Sequence, residues 1–257
     1  MSEFGVMLAA HGAGDGSPAN RRVSELATEL CRVLGGMEVV VGLRLGSPSF
    51  ADALAGLACR DVIVVPAMTS DGYFRRAVLP EALEPIARRK QMRLRVTPPL
   101  GTHPEIPAIA AEGIRDACDR CDHPIEGATL IVVGHGTRRS ARSHEATYGL
   151  VEALRQRLRF ESVEPAFLDE PPLLENVAQE HLDRPLVVLP FLLGGGGHAR
   201  VDIPQRVGLD PAECVDTPVR VRDVLLVGPL GDSPRLVALL ADLVHKATAE
   251  SQPCGSL

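Results

Sequence analysis

The sequence predicts an α/β protein built as a tandem duplication, two similar domains each with a four-stranded parallel sheet flanked by helices. The first observation is a repeat: the apolar run ending in Ala10-His11-Gly12 returns 124 residues later as the run ending in Gly134-His135-Gly136. The second is that further landmarks follow in the same order. Pro66 and Pro80 match Pro190 and Pro204 at an offset of 124, and Pro99-Leu100-Gly101 matches Pro229-Leu230-Gly231 at 130. A fixed offset with one late insertion of six residues is the signature of a duplicated unit. The third is that short Val/Leu-rich runs alternate with stretches of helical period, the pattern of a buried parallel sheet covered by helices.

The elements follow in order. Strands are expected near 4–10, 38–44, 61–67 and 92–97, and again near 129–133, 162–168, 185–191 and 221–227. Each is an apolar run of strand length, as required of strands buried on both faces. Between the first two, Val23, Leu26, Leu30 and Leu34 recur at helical spacing behind Ser17-Pro18, a cap residue and a first-turn proline. Leu150, Val151, Leu154 and Leu158 repeat that stripe in the second half. The polar stretch Asp119 to Gly127 is the expected seam, giving domains over 1–122 and 127–250.

Composition narrows the function. The 257 residues carry a formal charge of −6, with 3% aromatic residues and no Trp. A basic footprint and stacking platforms are therefore missing, which argues against a nucleic-acid partner. The longest apolar run, Leu186 to Leu193, is far too short to span a bilayer, so no membrane partner is expected. Six cysteines in this length make no disulfide scaffold, and the acidic start Ser2-Glu3 is unlike a signal peptide. A cytoplasmic protein is the expectation.

In an open parallel sheet, ligands sit outside the carboxyl ends of the strands. His135 follows the first strand of the second half between two glycines, and His198 follows its third behind Gly194-Gly195-Gly196-Gly197. First and third strands can be neighbours, so the two imidazoles are candidates to face each other across one crevice. Imidazole is the commonest metal ligand and a proton acceptor near neutral pH. Asp169 and Glu170, at the end of the second strand, offer one carboxylate to the same crevice, and the alternation of strand side chains leaves open which. The first half retains His11, but Phe74 stands at the position of His198, and Leu45 and Gly46 at those of Asp169 and Glu170. One working site, in the second half, is expected, and His11 is a relic or wall residue.

Gly134-His135-Gly136, the 167–172 stretch Phe-Leu-Asp-Glu-Pro-Pro, and His198-x-x-x-Asp202-Ile203-Pro204 resemble the sirohydrochlorin chelatase family of the CbiX/SirB type. Asp71-Gly72-Tyr73-Phe74, Leu79-Pro80 and Pro99-Leu-Gly-Thr-His-Pro104 also look like its long, two-repeat members. The resemblance runs from about residue 4 to about residue 245. It implies a chelatase-like fold and a lyase that inserts a divalent metal into sirohydrochlorin without ATP, cobalt for cobalamin or iron for siroheme. It further implies His135 and His198 as catalytic and metal-holding residues, with Asp169 or Glu170 as acidic partner, Glu170 being the one assigned. No permanent cofactor is implied; the metal (Co, Fe or Ni) and the tetrapyrrole are substrates.

Asp202, four residues after His198, is placed to orient that ring or to sit at a helix N-terminus. Arg138, Arg139 and Arg200 follow the two histidines and suit the carboxylates of the macrocycle, because a guanidinium binds them bidentately. Cys118-x-x-Cys121 with His123 is metal-like in spacing, but no second pair completes a zinc site, so incidental thiols are favoured. A non-catalytic metal or tetrapyrrole delivery protein is the alternative; a phosphohistidine enzyme is disfavoured, since Ala10 or Gly134 stands where its Arg belongs. A monomer is expected, because the duplication already supplies two copies of the unit.

Overall fold

The computed structural model describes residues 4–14, 16–137, 142–194 and 196–250, the side chains of 142 and 143 excepted. They form two compact units, divided after residues 103 and 233, with the first combining both ends of the described chain.

The first unit contains β1 (Phe4–Ala10), α1 (Pro18–Val33), β2 (Val39–Leu43), α2 (Phe50–Ala55), β3 (Asp61–Pro66), α3 (Leu79–Lys90) and β4 (Arg93–Val96). Its sheet is parallel throughout, in the order β2-β1-β3-β4. Val6, Met7, Leu8 and Ala9 of the central β1 have no exposed surface, which is why this strand reads as an unbroken apolar run. The expected start of α1 is present: Ser17 accepts a hydrogen bond from Ala19 N at 3.2 Å and Pro18 opens the helix.

The second unit contains α4 (Ile106–Arg120), β5 (Thr129–Gly134), α5 (Arg142–Arg155), β6 (Ser162–Phe167), α6 (Leu174–Glu180), β7 (Leu186–Pro190), α7 (Ile203–Arg206), β8 (Val219–Val221) and β9 (Val224–Leu226). Its sheet has the order β6-β5-β7-β9-β8 and corrects the four-stranded expectation. The run read as one strand near 221–227 is a hairpin, with β8 antiparallel to β9 and Arg222 in its turn at φ 54°. The six-residue insertion supplies the extra strand. Where α3 runs for 12 residues, α7 stops after 4, because Gly208 at φ 77° and then Pro211 end it and send the chain to the sheet edge.

The last helix, α8 (Leu236–Ala249), belongs to the first unit, and α4, which ends the first sequence repeat, belongs to the second. The boundaries 1–122 and 127–250 thus mark the duplicated sequence, while the compact units are exchanged at their final helices. Within the first unit α8 packs on α1 and β3. Asp242 of α8 meets His103 Nε2 at 2.9 Å and Lys246 Nζ at 2.6 Å. Lys246, and then His103, hold the Asp242 carboxyl below the usual carboxylate range. Among the described residues no helix is long and apolar enough to cross a membrane.

Candidate active site

In the second unit, β5 lies between β6 and β7, so the loops leaving all three strands meet at one end of the sheet. His135 is the first residue after β5, and its carbonyl accepts from Leu168 N and Asp169 N at 3.2 and 3.1 Å, tying that loop to the one after β6. Gly136 turns the chain at φ 75°; a Cβ there would lie 2.9 Å from Glu170 Cγ and 3.0 Å from Phe167 Cβ. His198 opens a five-residue π-helical turn, His198–Asp202, which runs into α7. Such turns recur at functional sites, since they re-aim a side chain out of the regular helical register.

The two imidazoles meet edge to face, with ring centroids 4.8 Å apart and an interplanar angle of 83°. Their side chains are 49% and 51% exposed, so both are open to an arriving ion. Each has its Nδ1 occupied. His135 Nδ1 lies 3.0 Å from Gly136 O and 3.3 Å from Asp169 Oδ2, and His198 Nδ1 lies 2.6 Å from Asp202 Oδ2. These oxygens only accept, so a neutral ring carries its proton on Nδ1 and offers the Nε2 lone pair. Asp202 therefore orients His198, the first of its two expected roles, and it makes no side-chain cap to α7.

The carboxylates divide. Asp169 is the one beside His135, whereas Glu170, assigned a catalytic role from the sequence, is 8% exposed and turns the other way. Its Oε1 accepts from Thr137 N at 3.1 Å and lies 3.6 Å from His144 Nδ1. Strand alternation did not decide between them because β6 ends at Phe167, and both sit in the loop beyond. Arg206, which carries no motif or spacing signal in the sequence, donates to Leu168 O at 2.7 Å and steadies the loop carrying Asp169. Arg200 is exposed beside His198, while Arg138 and Arg139 lie outside the described residues.

Among the described residues no group of three or more His, Cys, Asp or Glu is gathered to hold a metal. The crevice presents two imidazoles, each with its Nδ1 engaged. In the first unit His11 faces Phe74 instead, with ring centroids 5.4 Å apart. The same two strand-end loops meet there, but a phenyl ring replaces one imidazole and the rings are tilted at 50°.

Cys118 is a buried thiol. Cys118 is 2% exposed, and burial, with smaller contributions from Asp119 and Cys121, pushes its thiol up to about 11. The ring nitrogens of His123 face the carbonyl oxygens of Pro124 and Asp223 at 3.0 and 3.3 Å. Only the thiolate alkylates, so near pH 8 iodoacetamide should leave Cys118 unmodified in the folded protein and label it in denaturant. Peptide mapping that finds Cys118 labelled as fast as a free thiol under native conditions would contradict the assignment.

A model of the CbiX family matches residues 5–117 and again 129–247, both copies of the repeat. The chain belongs to the CbiX family. Among relatives, it is 28% identical over 228 residues to a probable sirohydrochlorin cobaltochelatase of Halobacterium salinarum, covering 79% of this chain and 76% of that one. A sirohydrochlorin cobaltochelatase of Methanopyrus kandleri is 31% identical over 142 residues, 47% of this chain and 97% of its own. The structure of SirB from Bacillus subtilis with Fe3+ superposes at a TM-score of 0.76 over 98% of both chains, at 17% identity, and so shares the fold. The CbiX match spans both halves of this chain, yet among the described residues the two-imidazole crevice is present only in the second.

Proposed function

We propose that this CbiX-family chain is a sirohydrochlorin chelatase, inserting a divalent metal, cobalt or iron, into sirohydrochlorin or a related tetrapyrrole in its second unit. The observation that carries it is the His135–His198 pair, with Nδ1 of each ring engaged and an exposed face. Imidazole Nε2 atoms displace water from the ion while leaving other positions open, as insertion requires. The macrocycle nitrogens then replace the imidazoles on the metal. Two pyrrole N–H protons leave as the ion enters, and the freed Nε2 atoms, with water, are their acceptors. Family relatives named for cobalt support that metal, and borderline nitrogen sites accept both, so availability decides between them.

The test is anaerobic absorbance of sirohydrochlorin with the purified chain and cobalt(II), iron(II) or nickel(II) in turn. A chelatase converts many equivalents per chain; a delivery protein stops at one. Stoichiometric binding with no acceleration over the metal alone would replace the enzyme with the carrier.

Arg200 serves the substrate's carboxylates. An exposed Arg–carboxylate contact is worth about 0–1 kcal/mol, so Arg200→Gln should raise KM for the tetrapyrrole up to several-fold with kcat nearly unchanged. The effect should shrink as salt rises, since exposed charge pairs are screened. An unchanged KM at low salt would return Arg200 to a solvated surface.

A further inference from the structure

The carboxylate that ties the loop carrying His135 is backed by a side chain without a sequence signal. Thr137, two residues beyond His135, donates its backbone N–H to Glu170 Oε1 at 3.1 Å. Glu170 is buried at 8% exposure, and a buried carboxylate is costly unless partnered. His144, from the first turns of α5, brings Nδ1 to 3.6 Å from that same oxygen. The His144 ring is fixed in turn by edge contacts with Tyr148 and Phe167, at centroid distances of 5.6 and 6.3 Å.

The first unit shows what this arrangement replaces. The counterparts of Thr137, His144 and Glu170, each 124 residues earlier, are Ala13, Asn20 and Gly46. Asn20 closes the loop there: its Oδ1 accepts from Ala13 N at 2.9 Å and its Nδ2 donates to Ala13 O at 2.9 Å. Gly46 has no side chain to contribute. One amide ties the loop where His11 faces Phe74, and a carboxylate backed by an imidazole ties it where His135 faces His198.

We infer that His144 is a positioning residue for the two-imidazole site: it holds Glu170 against the Thr137 amide and so fixes the loop that presents His135. Glu170 thereby acts on the loop rather than on the ion. The inference rests on the chelatase reading for the reaction that the loop serves, but the tie itself is measurable without it.

The experiment compares His144→Ala with the double variant His144→Asn/Glu170→Gly, which rebuilds the first unit's tie at the second. Three quantities are read on the full chain: exchange of the Thr137 amide, cobalt(II) affinity, and kcat with KM for sirohydrochlorin. Partners that orient a metal ligand are worth about 10–100-fold in affinity or activity. His144→Ala should speed Thr137 amide exchange, weaken cobalt(II) binding and lower kcat by about tenfold, with KM for the tetrapyrrole and the melting temperature little changed. The double variant should recover all three quantities, which a loss of helix packing would not allow. Unchanged Thr137 exchange in His144→Ala overturns the tie, and faster exchange with wild-type cobalt affinity overturns its bearing on His135. If the wild type itself proves not to insert metal, the chelatase reading fails, while amide exchange and cobalt affinity still decide the role of His144.

Discussion

His135→Ala and His198→Ala should each depress metal insertion by roughly tenfold or more, whereas His11→Ala should change it less than about twofold. The crevice offers only two imidazoles among the described residues, so losing either halves the set proposed to hold the ion. His11 has no such partner, since its ring meets Phe74. The effect should fall on chemistry and not on folding. The side chains of His135 and His198 are about half exposed, and substitutions at such positions usually shift stability by no more than about 0.5 kcal/mol. His198→Phe is the sharper variant, because it writes the first unit's residue into the second. Steady-state rates at saturating tetrapyrrole, with a thermal melt as control, check the prediction. Abolition by His11→Ala with His135→Ala intact would move the site to the first unit.

Gly231→Ala should destabilise the second unit by about 3 kcal/mol, the upper part of the range for overpacking a buried position. A Cβ at Gly231 would stand 2.1 Å from Leu193 O and 2.3 Å from Leu193 C, backbone atoms that cannot swing aside. The amide of Gly231 also donates to Leu192 O at 3.0 Å, locking the two segments together. The duplication repeats the device: Gly101 packs on Thr69 with its Cβ position 2.3 Å from the Thr69 Cα, and its amide donates to Met68 O. Leu193 leads into the glycine run before His198, so the clash that loosens the unit also displaces that imidazole. The melting transition of the second unit should drop by about 6–12 °C, taking 2–4 °C per kcal/mol for a chain of this size. A transition within 2 °C of wild type would show that the Leu193 backbone can yield.

Seven of the strands were legible because a buried parallel strand has to be apolar on both faces, and Val/Leu runs of that length have few other readings. The hairpin of β8 and β9 was not. Val221 to Val227 reads as one apolar run unless the turn at Arg222 and Asp223 is seen, and its only signal was the shift of the repeat offset from 124 to 130. The exchange of α4 and α8 was also hidden. A helix carries its apolar face in its sequence, but not the identity of the copy that covers it. His135 and His198 stood out because each follows glycine in a loop leaving a strand. Asp169 and Glu170 could not be separated, since each takes its direction from a loop whose course depends on what the loop packs against. His144 sits within α5 with no periodic or spacing signal; setting it against Asn20 in the other repeat is the comparison that exposes it.

Cobalt(II) titration of the full chain, followed by the visible absorbance of the bound ion, tests most directly that one site in the second unit does the work. One equivalent should bind the wild type and His11→Ala alike, and binding should be lost or weakened at least about tenfold in His135→Ala and in His198→Phe. Two equivalents per wild-type chain, or binding that survives both of those substitutions and disappears with His11→Ala, would contradict it.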